Sequence, residues 1–201
     1  MRLRTNLNSR ASLPASAPAV YIALLLLLTA VLLLSPIVVV AQPPATPTET
    51  QVEAAFLFKF GSFVTWPNPA PNNTFAICVL GRDPFGPALD SIVKGESLDG
   101  VPFSVRHIGE PSEASACRIV FVSSSEQERV RPLLTELAKL PVLTVADMPH
   151  FNDRGGMVQF VLENGRVRFE VNLTSAEKSG LTLSSQLLKV ASAVKRDGGR
   201  D

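Results

Sequence analysis

Residues 74–81, TFAICVLG, and residues 117–123, CRIVFVS, decide the reading of this chain. Each is a short, nearly uninterrupted apolar run. A strand wetted on one face alternates polar with apolar residues, whereas a strand covered on both faces does not need to. The first run leads into Gly81-Arg82-Asp83-Pro84 and the second into Ser123-Ser124-Ser125. Both read as helix openings. Asp83 is expected as an N-cap with Pro84 at the first helical position, in a helix reaching about residue 94. Ser124 and Ser125 are expected to cap a helix through residue 139, with Val130, Leu133, Leu134, Leu137 and Leu140 as its apolar stripe. Residues 101–107 read as a strand with Phe103, Val105 and His107 on one face, and residues 142–146 as another. Strands alternating with helices in this way predict βαβ units. The expected fold class is therefore α/β: a three-layer arrangement with a mostly parallel, buried sheet and helices on both faces.

Downstream the pattern changes. Residues 157–162 and 167–173 read as strands separated by Glu163-Asn164-Gly165-Arg166, and Asn-Gly between two apolar runs is a strong hairpin signal. A C-terminal antiparallel hairpin is expected to close the sheet. A terminal helix over residues 184–194 would then pack through Leu187, Leu188, Ala191 and Val194.

Upstream lies QVEAAFLFKFGSFVTW, residues 51–66, stopped by Pro67. Val52, Ala55, Phe56, Phe60 and Phe63 fall at helical spacing, while Leu57, Phe58 and Val64 form a second apolar face. A helix apolar on two sides is buried twice. The second cover is either a helix of the same domain or another protein chain, whether a membrane partner or a second copy forming a homodimer. Leu57, Phe58, Val64 and Trp66 are thus the candidate partner-binding residues.

Ahead of this domain, residues 21–41 carry no charge, Arg2, Arg4 and Arg10 precede them, and Val39-Val40-Ala41 places small or short side chains before Gln42. Residues 1–41 read as a signal peptide, with an uncleaved anchor as the alternative reading, so the rest lies in the periplasm. Residues 42–49 read as a Pro/Thr-rich flexible leader, 50–194 as a single domain and 195–201 as a disordered tail. Removing residues 1–41 takes away 3 of the 19 Lys and Arg and none of the 18 Asp and Glu, leaving 16 against 18, a net charge of −2. There is no basic patch to draw nucleic acid. In an oxidising compartment Cys78 and Cys117 read as a disulfide, the alternative being two buried thiols.

Catalytic chemistry finds little support. His107 and His150 have no partner at metal-ligand spacing, so no metal site is expected. No G-x-S-x-G or S-x-x-K motif is present. Asp147 and Asp153 stand in different local contexts and read as loop caps rather than as a carboxylate pair. The spacing Gly81-x-x-x-x-Gly86 lacks the Lys-Ser/Thr of a nucleotide loop, and no cofactor is expected. Binding fares better. The crevice of a parallel sheet lies beyond the carboxyl ends of its strands, and Arg82, Asp83, Ser124 and Ser125 gather there as candidates for a small anionic ligand.

As a set, AAFLFKFGSFVTWP (54–67), FAICVLGRDPFGPALD (75–90), CRIVFVSSSE (117–126), PVLTVADMPHF (141–151), RGGMVQFVLENGRVRFEVNL (154–173) and SSQLLKVA (184–191) resemble the YfiR-like family of small periplasmic proteins. That resemblance implies a regulator rather than an enzyme. It would bind the periplasmic domain of an inner-membrane diguanylate cyclase, hold it inactive and so modulate cyclic-di-GMP signalling. Cys78 and Cys117 match one family disulfide. A second, linked in the family to redox control, has no counterpart, because the chain has no further cysteine. The alternative from another class is a periplasmic small-ligand sensor, for an anion, nucleotide or amino acid, read by another receptor.

Overall fold

The structure, a computed structural model, describes residues 21–28 and 46–196. The chain divides into two units, residues 1–45 and 46–201. Of the first, residues 21–28 are helical with exposed side chains. The signal-peptide and leader expectations otherwise lie outside the described residues up to residue 45. Among the described residues no helix is long and apolar enough to cross a membrane.

The second unit opens with helix α1 (Glu49–Phe60). Its start is fixed by a capping box: the Thr48 hydroxyl accepts the Gln51 N–H at 3.3 Å, and the Gln51 carboxamide accepts the Thr48 N–H at 2.9 Å. The helix ends earlier than expected. A 3-10 turn over Gly61–Phe63 leads into strand β1 (Val64–Thr65), which pairs antiparallel with β9 (Thr182–Leu183). Two β-branched residues with a strand partner available override the helical spacing.

The main sheet contains β2 (Phe75–Leu80), β3 (Ser97–Leu98), β4 (Val101–Ile108), β5 (Ile119–Val122), β6 (Leu143–Ala146), β7 (Val158–Glu163), β8 (Arg166–Asn172) and β10 (Ala193–Lys195). Their spatial order is β10-β8-β7-β6-β5-β2-β4-β3. Every pairing is parallel except β7 with β8 and β3 with β4. All six residues of β2 and all four of β5 are buried, as their unbroken apolar runs require. Alternate residues serve two cores. Phe75, Ile77, Val79, Ile119 and Phe121 face the side covered by α1 and by α2 (Pro87–Val93). Ala76, Cys78, Leu80, Val120 and Val122 face α3 (Val130–Leu137) and the 3-10 segment Pro111–Ala116. The α/β expectation with helices on both faces is observed.

Cys78 and Cys117 are bridged on the α3 side, with Cα atoms 6.0 Å apart. β2 and β5 are neighbours, and Cys117 lies just before β5, at the end of the preceding 3-10 segment.

Helix boundaries differ from the sequence reading. α2 begins at Pro87 after Gly86, not at Pro84, because Asp83 accepts the Phe85 N–H at 2.8 Å and forms a turn instead of a cap. Residues Ser124–Arg129 form a 3-10 segment capped by Ser123, and only Val130–Leu137 is α-helical. The hairpin is as expected, with Asn164 at φ 50° and Gly165 at φ 71°, the left-handed pair of a tight primed turn. It does not form the sheet edge. After α4 (Leu173–Lys178) and β9, helix α5 (Ser185–Val190) stops early, and Ala193–Lys195 adds as β10 beside β8. The Lys195 ammonium bonds Asp153 at 3.0 Å, so order extends into the stretch expected as tail; residues 197–201 lie outside the described ones.

Candidate functional site

The strand order reverses between β2 and β5. β4 was added on one side of β2 and β5 on the other, so the loops after β2 and β5 diverge and frame the crevice where α/β sheets take ligands. Here the crevice is filled from within. Gly81 has φ 94°, and a Cβ on it would lie 2.5 Å from Glu126 Oε1 and 2.6 Å from Ser125 Oγ. The Ser125 hydroxyl accepts the Arg82 N–H at 3.0 Å and lies 3.1 Å from Glu126 Oε1, positioned to donate to it. Glu126 is 8% exposed, and Arg129 Nε donates to its other carboxylate oxygen.

The four residues expected to hold an anion are therefore only partly assembled. Arg82 and Ser125 meet, but through a backbone N–H and a hydroxyl committed to Glu126. Ser124 is exposed, and Asp83 accepts from Phe85 while its other oxygen lies 3.1 Å from His107 Nε2. The Glu126 carboxylate lies against Gly81 and accepts from the Ser125 hydroxyl. The contact joins positions 45 residues apart, Gly81 and Glu126, and no local spacing discloses it.

The expected second face of α1 splits in two. Leu57 is 0% exposed and Val64 is 7%, and both belong to the core between α1 and the sheet, so neither offers itself to a partner. The helix rotates Ala54, Leu57 and Phe60 onto the sheet and leaves Ala55 exposed. Phe58 and Trp66 remain partly exposed, at the two ends of a run of rings. Phe58 meets Phe103 edge-on at 4.9 Å, Phe103 meets Phe75 at 4.6 Å, and Phe75 meets Trp66 at right angles at 5.2 Å. A cation stands over each end: Lys59 Nζ lies 5.2 Å from the Phe58 ring, and the Arg118 guanidinium 5.5 Å from the Trp66 ring. Gly61 makes the close approach possible, since a Cβ there would sit 3.2 Å from both Phe103 and Phe75. Arg118 is 4% exposed and donates to the Asn68 carbonyl at 2.5 Å, while the Trp66 indole N–H is buried with no hydrogen-bond partner among the described residues. Phe103 and Arg118 escaped the sequence reading. Alternation placed Phe103 on a face of β4, but nothing local says that face meets Phe58.

Near the start of α1 a second feature appears. Glu49, Glu53 and Asp147 line one small cleft with Phe160, Leu162 and Val167. Burial, then the charges of Asp147 and Glu49, push the Glu53 carboxyl up to about 7. Desolvation raises Asp147 as well. The folded state thus binds more protons than the unfolded chain between pH 4.5 and about 7, so stability falls as pH rises through that window. Denaturant midpoints measured from pH 5 to 8 should decline, and Glu53→Gln should flatten the decline. A flat wild-type profile would contradict the placement. Asp153 behaves oppositely: hydrogen bonds from Lys195 and His150 hold its carboxyl below the usual range. Asp147 and Asp153 thus have separate partners, and among the described residues no group of three or more His, Cys, Asp or Glu could hold a metal ion.

A family model described as YfiR/HmsC-like matches residues 50–192. Among solved structures, the chain is similar to a conserved domain protein from Vibrio cholerae O1 biovar El Tor, with TM-score 0.48 and 11% identity over 75% of this chain and 62% of that one. It is also similar to an ABC domain in complex with L-Trp from Streptococcus pneumonia, with TM-score 0.47 and 10% identity over 73% of this chain and 60% of that one. This chain spans about three-fifths of the length of each.

Proposed function

This chain belongs to the YfiR/HmsC-like family, and we propose that it is a non-enzymatic periplasmic regulator. It binds the periplasmic domain of an inner-membrane diguanylate cyclase, represses the enzyme and so lowers cyclic-di-GMP. The observation that carries this reading is the extent of the family match, which runs from the first turn of α1 past the end of α5. In the same proposal residues 1–41 are the export signal, 42–49 the leader and 50–194 the regulatory domain.

The ring ladder supports a protein-contact role. Partly exposed aromatic side chains with adjacent cations are the composition that dominates binding energy at protein interfaces. Phe58 and Trp66 are the proposed partner contacts, with Phe103 between them. Deleting the gene should raise cellular cyclic-di-GMP, and re-expression should lower it again. Re-expression of the Phe58→Ala, Trp66→Ala double variant, at equal periplasmic abundance, should not. Unchanged cyclic-di-GMP on deletion would count against the regulatory reading itself, whereas full rescue by the double variant would count only against the ladder.

A further inference from the structure

A cleft of about 260 Å3 opens beside the Trp66 end of the ring ladder, between β1, the chain that follows it, the start of β2 and the β3–β4 turn. Its walls are mostly apolar, formed by Val64, Trp66, Phe75, Leu98 and Val101. Arg118, which enters from just before β5, is the one basic residue lining it among the described residues. A single cation thus stands in an apolar surround. Asp99 is exposed at the rim, in the tight turn that Asp99 and Gly100 make at φ 51° and 81°.

Arg118 is costly to bury. It is 4% exposed, its side chain makes one hydrogen bond, to the Asn68 carbonyl, and among the described residues it has no carboxylate partner. A desolvated charge without a counter-charge is unfavourable, and burial accordingly lowers the pKa of this guanidinium. The Trp66 indole N–H is an independent second cost at the same cleft, since it is buried with no hydrogen-bond partner among the described residues. The two groups are neighbours, with the guanidinium 5.5 Å from the indole ring. One ligand group answers both: a carboxylate, which accepts from several donors at once and pairs with arginine through parallel bonds. The apolar walls select what that carboxylate is attached to, a hydrocarbon tail rather than a polar one. Asp99 at the rim repels negative charge and so disfavours a dianion relative to a monoanion. The tail is short, because the volume lies below the range of about 300–1,000 Å3 that encloses drug-sized molecules.

We infer that this cleft binds a small monocarboxylate with a short apolar tail, held by Arg118 and walled by Trp66 and Phe75. The site shares Trp66 with the ring ladder, but binding there does not depend on the regulatory reading. Trp66 is the only tryptophan of the chain, so its fluorescence reports on the cleft directly. The test is a titration of the full chain with butyrate and, separately, with inorganic phosphate and with butylammonium, at constant ionic strength. Butyrate should change the emission saturably in the millimolar range, and the other two should not. Arg118→Gln should weaken butyrate binding by at least about tenfold, the loss expected for one charge-assisted bond. Should that variant fail to fold, Asp99→Asn decides. Its turn accepts asparagine at positive φ, and removing the negative charge at the rim should tighten butyrate by about twofold to fivefold. The inference is overturned if butyrate gives no saturable change, if phosphate or butylammonium saturates as butyrate does, or if folded Arg118→Gln or Asp99→Asn protein titrates like the wild type.

Discussion

Phe60→Ala should cost about 3–5 kcal/mol of folding stability, the range for truncating a buried phenylalanine. Phe60 is 1% exposed and joins α1 to the hairpin: its ring lies 6.0 Å from Phe160 on β7 and 5.2 Å from Phe169 on β8. Alanine would leave a void between a helix and two strands that cannot close without moving all three. For a domain of this size the melting temperature should fall by about 10 °C. Phe58→Ala offers the contrast. Its ring is partly exposed, meets Phe103 edge-on and lies beneath Lys59 at the margin of the core, so the expected loss is about 1 kcal/mol. Urea unfolding of both variants separates the two. Equal losses would show that Phe58 is as integral to the core as Phe60 and would remove it from the surface.

Cys117→Ser should cost about 4 kcal/mol on the chain-entropy estimate for a crosslink between residues separated by 39 positions. The fold should survive. The bridge ties β2 to the turn before β5, but these strands are also held by their parallel ladder and by the α3 core, where Val120, Val122, Leu133 and Leu137 are buried. The serine variant, and wild type under reducing conditions, should therefore unfold cooperatively at lower denaturant with a native circular dichroism spectrum beforehand. Loss of native structure on reduction would show that the α3 core cannot stand alone. An unchanged midpoint would place the reduced state under constraints other than the bridge.

The layers of the fold were legible because they depend on local composition. β2 and β5 are unbroken apolar runs, and only a strand covered on both faces tolerates that. Asn164-Gly165 dictates its turn through two left-handed residues, whatever surrounds it. What escaped the sequence reading depends on distant partners. β1, β9 and β10 are two or three residues long and exist because another strand is there to pair with. Their intrinsic signal is too weak to compete with the helical spacing of residues 51–66 or 184–194. Between Asp83-Pro84 and Gly86-Pro87, both able to open a helix, the choice fell to Asp83, whose side chain caps a turn. The candidate site shows the same division. Phe58 and Trp66 were legible as apolar residues off the expected main face; Leu57 was misplaced because helical spacing does not fix rotation about the axis, and Val64 because the helix ends at Phe60 and residue 64 begins a strand. Glu126 in the crevice and Phe103 in the ladder became visible only in three dimensions.

In the proposed complex Phe58 and Trp66 hold the periplasmic domain of an inner-membrane diguanylate cyclase. The direct measurement is the affinity of the purified chain for the purified periplasmic domains of the diguanylate cyclases in the same cell. Saturable binding to one of them is expected, weakened by at least about tenfold in Phe58→Ala and in Trp66→Ala, as truncating an interface anchor does, while both variants keep a native fold. Binding to none of these domains, or equal affinity for wild type and both variants, would contradict it.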